Sequence, residues 1–313
     1  LLKYLISLVF FIFPVVLVSG GDQAVTYTFS QGRFGDQLLA YMHAKWISYR
    51  YDVPLIYLPF DYSKFLLLDK VENQNKSKFS IPTKKIILGN GVVVNPKEKG
   101  VILYVVKYFP ESAFEIPYHK GPIFEVDWKN PGFRAELKRL ISPLLSMPPI
   151  DIPPGRIPVA AHIRKGGGYD VPGGKYARRS DLTYARPEKF PPHEYYVEQI
   201  KTLYKLFNEK PLYVHIFTDD KIPTQIVEAF QQDLAGLNIV FGCRDRKNAH
   251  DRNVLEDFFA MAKFDALIRP DSNYSITAEK IADFKIVISP AHISWENDRP
   301  VIDKVNIVTA EQT

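Results

Sequence analysis

The stretch Val159-Ala160-Ala161-His162-Ile163-Arg164-Lys165-Gly166 decides how the chain reads. A short apolar run closed by cations and glycine predicts a buried strand of a parallel sheet over 159–164. Side chains alternate along a strand, so His162 and Arg164 share one face. An imidazole and a guanidinium two positions apart at a strand's carboxyl end suit the clamping of a phosphate, with arginine supplying a bidentate fork. The bland alternative is a strand end that reaches solvent.

Strand and helix patterns alternate after this stretch. Helices are expected over 193–207, 222–232, 254–264 and 276–284, and strands over 212–217, 237–241, 266–268 and 285–289. That order predicts a doubly wound α/β domain whose ligand binds at the carboxyl ends of the strands. Upstream, residues 24–30 read as a strand, 31–35 as a glycine-bearing turn and 54–58 as a second strand. Between them, Asp36 is expected to cap a helix with Leu39, Met42, Trp46 and Tyr49 on one face. Asn90-Gly91, flanked by Ile86-Ile87 and residues 92–94, gives a hairpin signal. A strand over 101–106 and a helix over 133–145 complete this half. The proline-rich run at 147–158 reads as a linker. The expected organisation is a terminal apolar segment over 1–21, one lobe over 22–150 and a second over 151–313, with a cleft between the lobes.

The whole chain sets limits. It has 313 residues, of which 46% are hydrophobic, so wholesale disorder is excluded. A net charge of +5 does not force a nucleic-acid partner. The single cysteine, Cys243, excludes an intrachain disulfide and cysteine-based metal clusters. The seven histidines form no helical pair three or four apart, and no Asp-x-Asp occurs. Metal-free chemistry is the expectation. Residues 4–21 are uncharged and follow Lys3, which suits either a cleaved signal peptide or a membrane anchor. Membrane association through residues 1–19 and an anchored or exported location are therefore expected, on an undetermined side of the membrane.

Four further clusters carry chemistry. Gly32-Arg33-Phe34-Gly35-Asp36-Gln37 lies between a strand and a helix, where glycines permit close backbone approach and a helix N-terminus favours anions. A tight turn accounts for it equally well. The loop from Arg164 to Arg186 carries Lys165, Lys175, Arg178 and Arg179 among five glycines. It reads as a cationic lid or as a solvated loop. Asp219 and Asp220 end the strand after His162, where they either accept hydrogen bonds from a ligand or cap a helix. Asp271-Ser272-Asn273-Tyr274-Ser275 precedes a helix and makes a phosphate cradle or a simple cap. Asn273-Tyr274-Ser275 and Asn75-Lys76-Ser77 also fit the glycosylation sequon.

Taken in order, these pieces resemble the fucosyltransferase superfamily that shares a His-x-Arg-Arg motif, and the α-1,2-fucosyltransferase group (glycosyltransferase family 11) most. The matching segments are Gly32 to Gln37, His162 to Gly166, Tyr195-Tyr196, Phe217 to Asp220 and Asp271 to Ser275. Gly-Arg-Phe-Gly also resembles the opening of the protein O-fucosyltransferases. The resemblance implies a GT-B-like fold of two Rossmann-like lobes facing a central cleft. It implies inverting, metal-independent transfer of fucose from GDP-L-fucose to a glycan hydroxyl, with no cofactor. By the same carry-over, Arg164 and His162 hold the β-phosphate and Asp219 or Asp220 reads guanine. Ser272, Tyr274 and Ser275 line the diphosphate, while Gly32, Arg33, Gly35 and Lys165 complete the donor site. Three positions depart from the pattern: Lys165 stands for the second Arg, Gly167 for Asp, and Asp36 for Asn. A carboxylate at 36 is a candidate general base. Alternatives are transfer to a protein hydroxyl, another GDP-sugar donor, or a nucleotide- or glycan-binding protein without turnover.

Overall fold

A computed structural model describes residues 23–30, 32–73, 82–89, 91–92, 94–95, 97–114, 122–166, 182–244 and 248–310. The terminal apolar segment, Gly167, most of the cationic loop and the sequon at Asn75 lie outside the described residues.

The first lobe is built on a three-stranded parallel sheet. Its strands are β1 (Gln23–Tyr27), β2 (Lys84–Leu88) and β3 (Ile102–Val106), in the order β1-β3-β2. Residues 54–58 do not form a full strand; they flank β1 through a single parallel bridge, Val25 to Leu55. Pro54 has no N–H to donate, which limits the ladder there. The hairpin expectation also needs correction. Gly89 and Val92 close one antiparallel bridge, while β2 itself runs parallel to β3. Among the described residues no ladder extends from that bridge, and β2 spends its pairing on β3.

Helix α1 (Phe34–Tyr51) connects β1 to the segment at Leu55. The sequence suggests one apolar face, yet Leu38, Tyr41, Ala44 and Ile47 are buried as well as Leu39, Met42 and Trp46. Packing between the first sheet and the second lobe covers the helix on nearly all sides, so its apolar pattern is not one-sided. Tyr49 departs from the expected face: it is 40% exposed and lies against Trp46 and Phe133 at the helix end. Helices α2 (Leu67–Asn73) and α3 (Pro131–Leu140) complete the lobe. Helix α3 starts with Asn130 accepting the Phe133 N–H, and Pro131 sits where a missing N–H costs nothing.

The second lobe carries a six-stranded sheet: β4 (Ile157–Ile163), β5 (Leu212–Thr218), β6 (Ile239–Cys243), β7 (Ala266–Ile268), β8 (Ile286–Glu296) and β9 (Arg299–Thr309). The strand order is β6-β5-β4-β7-β8-β9, parallel except for β9. Helices α4 (Leu182–Ala185), α5 (His193–Leu206), α6 (Pro223–Asp233), α7 (Val254–Met261) and α8 (Asn273–Ile281) connect or cover the strands. The chain thus proceeds outward from β4 on one side, then returns to place β7 on the other. This is a doubly wound arrangement whose switch point lies between β4 and β7. The strand expected over 285–289 is the start of β8; its extension to Glu296 and the antiparallel β9 were absent from the sequence reading. Asn297 and Asp298 turn this terminal ribbon, with φ of 48° and 61°, the pair of left-handed residues that a tight hairpin turn requires.

Alternation along β4 separates two cores. Val159, Ala161 and Ile163 join a cluster with α5 and α6, while Ala160 joins a larger cluster shared with the first lobe. Phe34 meets Phe258 edge-on at 5.3 Å and Tyr274 at 6.4 Å, so an aromatic seam holds the lobes together. Helix α1 meets the start of α8 at Gly35. A Cβ there would stand 2.5 Å from the backbone nitrogen of Tyr274 and 2.7 Å from its Cα. Neither helix backbone can yield locally. Gly35→Ala is therefore expected to cost about 1–3 kcal/mol through overpacking, read as a lower midpoint in urea unfolding.

Candidate active site

The switch point brings together residues from both lobes. His162 and Arg164 lie at the carboxyl end of β4, and Arg269 directly follows β7. The start of α8 lies beyond Arg269, and Arg33 enters from the start of α1. His162 is only 7% exposed, and its Nδ1 has no hydrogen-bond partner among the described residues. Burial first, then the charges of Arg164, Arg269 and Arg33, hold the imidazole down to about 3. His162 is therefore neutral at physiological pH and surrounded by cations. Its ring tilts against Tyr274 at 5.4 Å, and its carbonyl accepts from Tyr196 Oη at 3.0 Å.

The three guanidiniums are held differently. Arg164 stands over the ring of Phe190 at 5.2 Å, a cation–π contact that helps to orient it. Arg269 donates from Nε to Glu279 at 2.6 Å and from Nη1 to the Pro270 carbonyl at 3.2 Å. Arg33 occupies the N-cap position of α1 in extended backbone conformation. The sequence reading missed Arg269, although an arginine ending a buried three-residue strand is the same signal as Arg164.

Asp219 does more than end a strand. Its Oδ1 accepts the Lys165 N–H at 2.6 Å and its Oδ2 accepts the Gly166 N–H at 3.3 Å. Both oxygens thus hold the chain just after Arg164, where Gly166 takes a φ of 105° that favours glycine. Asp220 accepts the Ile222 N–H on Oδ1 at 2.8 Å and so secures the approach to α6. The Lys165 side chain is exposed.

The cradle at 271–275 is arranged differently from a simple row of phosphate ligands. The Tyr274 hydroxyl donates to the Val254 carbonyl at 2.7 Å, and the Ser275 hydroxyl to the Ser272 carbonyl at 3.2 Å. Both hydroxyls are used within the fold. Ser272 is buried at the N-cap position of α8 without a side-chain capping bond. The backbone N–H groups of the first turn of α8 are those a helix leaves without intrahelical acceptors. Asn273 spends its amide on other side chains, which places that sequon in a packed junction rather than on an open loop.

Asp36 is the third residue of α1, not its N-cap. Its Oδ2 accepts the Arg33 N–H at 3.2 Å; its Oδ1 accepts from Tyr108 Oη at 2.7 Å and Asn273 Nδ2 at 2.6 Å. Gly32 is needed beside it, because a Cβ at 32 would stand 2.2 Å from Oδ2. The glycines of the opening motif therefore admit Asp36 and α8. Among the described residues, no group of three His, Cys, Asp or Glu side chains gathers to hold a metal ion. None of the described helices is long and apolar enough to cross a membrane. A cleft of about 670 Å³ lies elsewhere, between Arg50, Trp128, Arg134 and the end of α8.

No family model matches the sequence, and no curated protein matches it. Similar solved structures include POFUT1 in complex with GDP-fucose, at 10% identity and TM-score 0.45, over 86% of this chain and 96% of that one. A mutant Arabidopsis thaliana FUT1 in complex with GDP matches at 12% identity and TM-score 0.42, over 87% and 72%. NodZ α-1,6-fucosyltransferase soaked with GDP-fucose matches at 10% identity and TM-score 0.44, over 92% and 99%; a related NodZ structure is from Bradyrhizobium. The likeness is one of overall chain path, and what the site does is argued from its own residues.

The neutral state of His162 has a measurable consequence. Between pH 6.5 and about 3 the unfolded chain protonates residue 162 and the folded chain does not. Stability contributed by the neutral ring is thus complete above pH 6.5 and is lost as the pH falls, on the order of 1 kcal/mol per pH unit. His43 and His215 are also depressed by burial and add to the same trend. The His162→Gln variant is expected to lose less stability than the unaltered chain between pH 7 and pH 5, measured by urea unfolding at both.

Proposed function

We propose that this chain is a glycosyltransferase that moves L-fucose from GDP-L-fucose to a hydroxyl acceptor, with inversion at the anomeric carbon and without a metal cofactor. The observation that carries the reading is the convergence of Arg164, Arg269, Arg33 and the neutral, unpartnered Nδ1 of His162 at the switch point, beside the N-terminus of α8. Such a set suits a diphosphate that binds with two negative charges and leaves with a third. Guanidiniums offer forked donors, and the helix N-terminus adds backbone N–H groups and a positive dipole end. His162 donates through Nδ1 in one tautomer and accepts no charge of its own, so it contributes a hydrogen bond without a further cation.

In the step itself, the bond from the fucosyl anomeric carbon to the β-phosphate oxygen breaks, and its electron pair leaves with GDP. The acceptor oxygen attacks the opposite face, forms the new bond and gives up its proton to an oxygen of the departing diphosphate. The sugar passes through an oxocarbenium-like state, and the arginines stabilise the charge that grows on the diphosphate. Asp219 serves by holding the Lys165 and Gly166 N–H groups, which fixes the chain after Arg164. The guanine is assigned to Asp220. Lys165 supplies charge near the donor without a fork.

A glycan hydroxyl, as in galactoside α-1,2-fucosylation, is the proposed acceptor, and the motif order from Gly32 to Ser275 supports it. Transfer to a protein hydroxyl is the second reading. It is favoured by the opening Gly32-Arg33-Phe34-Gly35, in which Phe34 anchors the aromatic seam. Exported or membrane-anchored placement through residues 1–21 is part of the proposal.

The test is calorimetric titration of the chain with GDP, GDP-fucose, GDP-mannose and UDP-galactose, with and without chelator. Binding confined to GDP and GDP-fucose and unaffected by chelator is expected. Arg164→Ala is expected to weaken GDP binding at least tenfold, equivalent to about 1.4 kcal/mol or more. Arg164→Lys recovers only part of it. Unchanged affinity in Arg164→Ala contradicts the phosphate assignment.

A further inference from the structure

We infer that Asp36, Tyr108 and Asn273 form a clasp that sets the two lobes across the donor pocket, and that Asp36 positions Arg33 instead of taking the acceptor's proton. The inference rests on the donor reading for its consequence in binding, but the geometry stands by itself. Three chain segments meet at one carboxylate: the start of α1, the strand exit after β3 and the first residue of α8. Tyr108 Oη and Asn273 Nδ2 both donate to Oδ1, and Asn273 Nδ2 also reaches Tyr108 Oη at 2.7 Å. A second strut lies beside it, where the Ser112 hydroxyl donates to Asp271. The segment after β3 is thereby tied twice to the turn that carries Arg269 into α8.

A general base needs an oxygen directed at the substrate hydroxyl. Asp36 Oδ1 faces two donors from the protein, and Oδ2 faces the Arg33 N–H. Both oxygens of this half-buried carboxylate are thus engaged by protein donors. The same geometry explains why a carboxylate stands where the resembling family has an amide. Asparagine at 36 would keep an acceptor toward Tyr108 and Asn273 only by turning its NH₂ toward the Arg33 N–H, which meets donor with donor. The carboxylate also offsets the positive ends of two helices whose first turns touch at Gly35.

Two measurements on the full chain test this. In the first, GDP affinity and the kcat and KM for fucose transfer from GDP-fucose are compared for Tyr108→Phe, Asn273→Ala, their double variant and Asp36→Asn. The clasp predicts a three- to thirtyfold rise in the Kd for GDP in each single variant. The double variant is no worse than the weaker-binding single one, and kcat stays within about threefold. A hundredfold fall in kcat in Asp36→Asn alone, with GDP affinity intact and the other two variants unaffected, assigns Asp36 as the base and overturns the inference. In the second, spin labels at exposed Lys85 and Lys205, as cysteines in a Cys243→Ser background, report the distance between lobes. The clasp predicts one narrow distribution that broadens in the Tyr108→Phe, Asn273→Ala double variant. An unchanged distribution overturns it. Absence of GDP binding in the unaltered chain contradicts the donor reading, while the label distances still decide the clasp.

Discussion

Two helix N-termini touch at one glycine, and much of the structure follows from that constraint. Gly35 in the first turn of α1 abuts the backbone of Tyr274 in the first turn of α8. Each helix end carries roughly half a positive charge, and Arg33, Arg164 and Arg269 add three full ones nearby. Concentrated positive charge is unfavourable unless something answers it. Asp36 answers part of it from within the junction, and Glu279 answers Arg269. His162 stays neutral for the same reason: a fourth cation in a buried, positive setting costs too much.

The lobes are held so that this charge stays focused. The aromatic seam of Phe34, Phe258 and Tyr274 is apolar and non-directional, so it brings the lobes together without fixing their angle. The polar bonds beside it are directional. Asp36 to Asn273, Ser112 to Asp271 and Tyr62 to the Asp251 carbonyl join residues far apart in sequence across one face. Burial and specificity are thus divided between two sets of side chains that share α1 and α8.

Much of the fold was legible because parallel strands bury both faces and announce themselves as apolar runs. The β4 stretch, β5 and β7 fall within a residue or two of where the sequence places them, and so does α5. That His162 and Arg164 come together at the carboxyl end of β4 was legible from alternation. The partners of Asp36 were not. Tyr108 and Asn273 lie 72 and 237 residues from Asp36, and nothing local marks them. Residues at 54–58 and 86–94 have strand-like composition, but which neighbour they pair with is a tertiary outcome. The terminal ribbon was readable in principle from Asn297-Asp298. Asp219, Tyr274 and Ser275 carried the right residue types, but their hydrogen bonds serve the fold around the pocket.

The central claim is that the switch-point pocket takes a diphosphate, and a crystal structure of the chain with GDP tests it most directly. The account predicts the β-phosphate within hydrogen-bond distance of Arg164 and of His162 Nδ1, over the first turn of α8. A diphosphate bound instead in the cleft between Arg50 and Arg134, or at no fixed place, would contradict it.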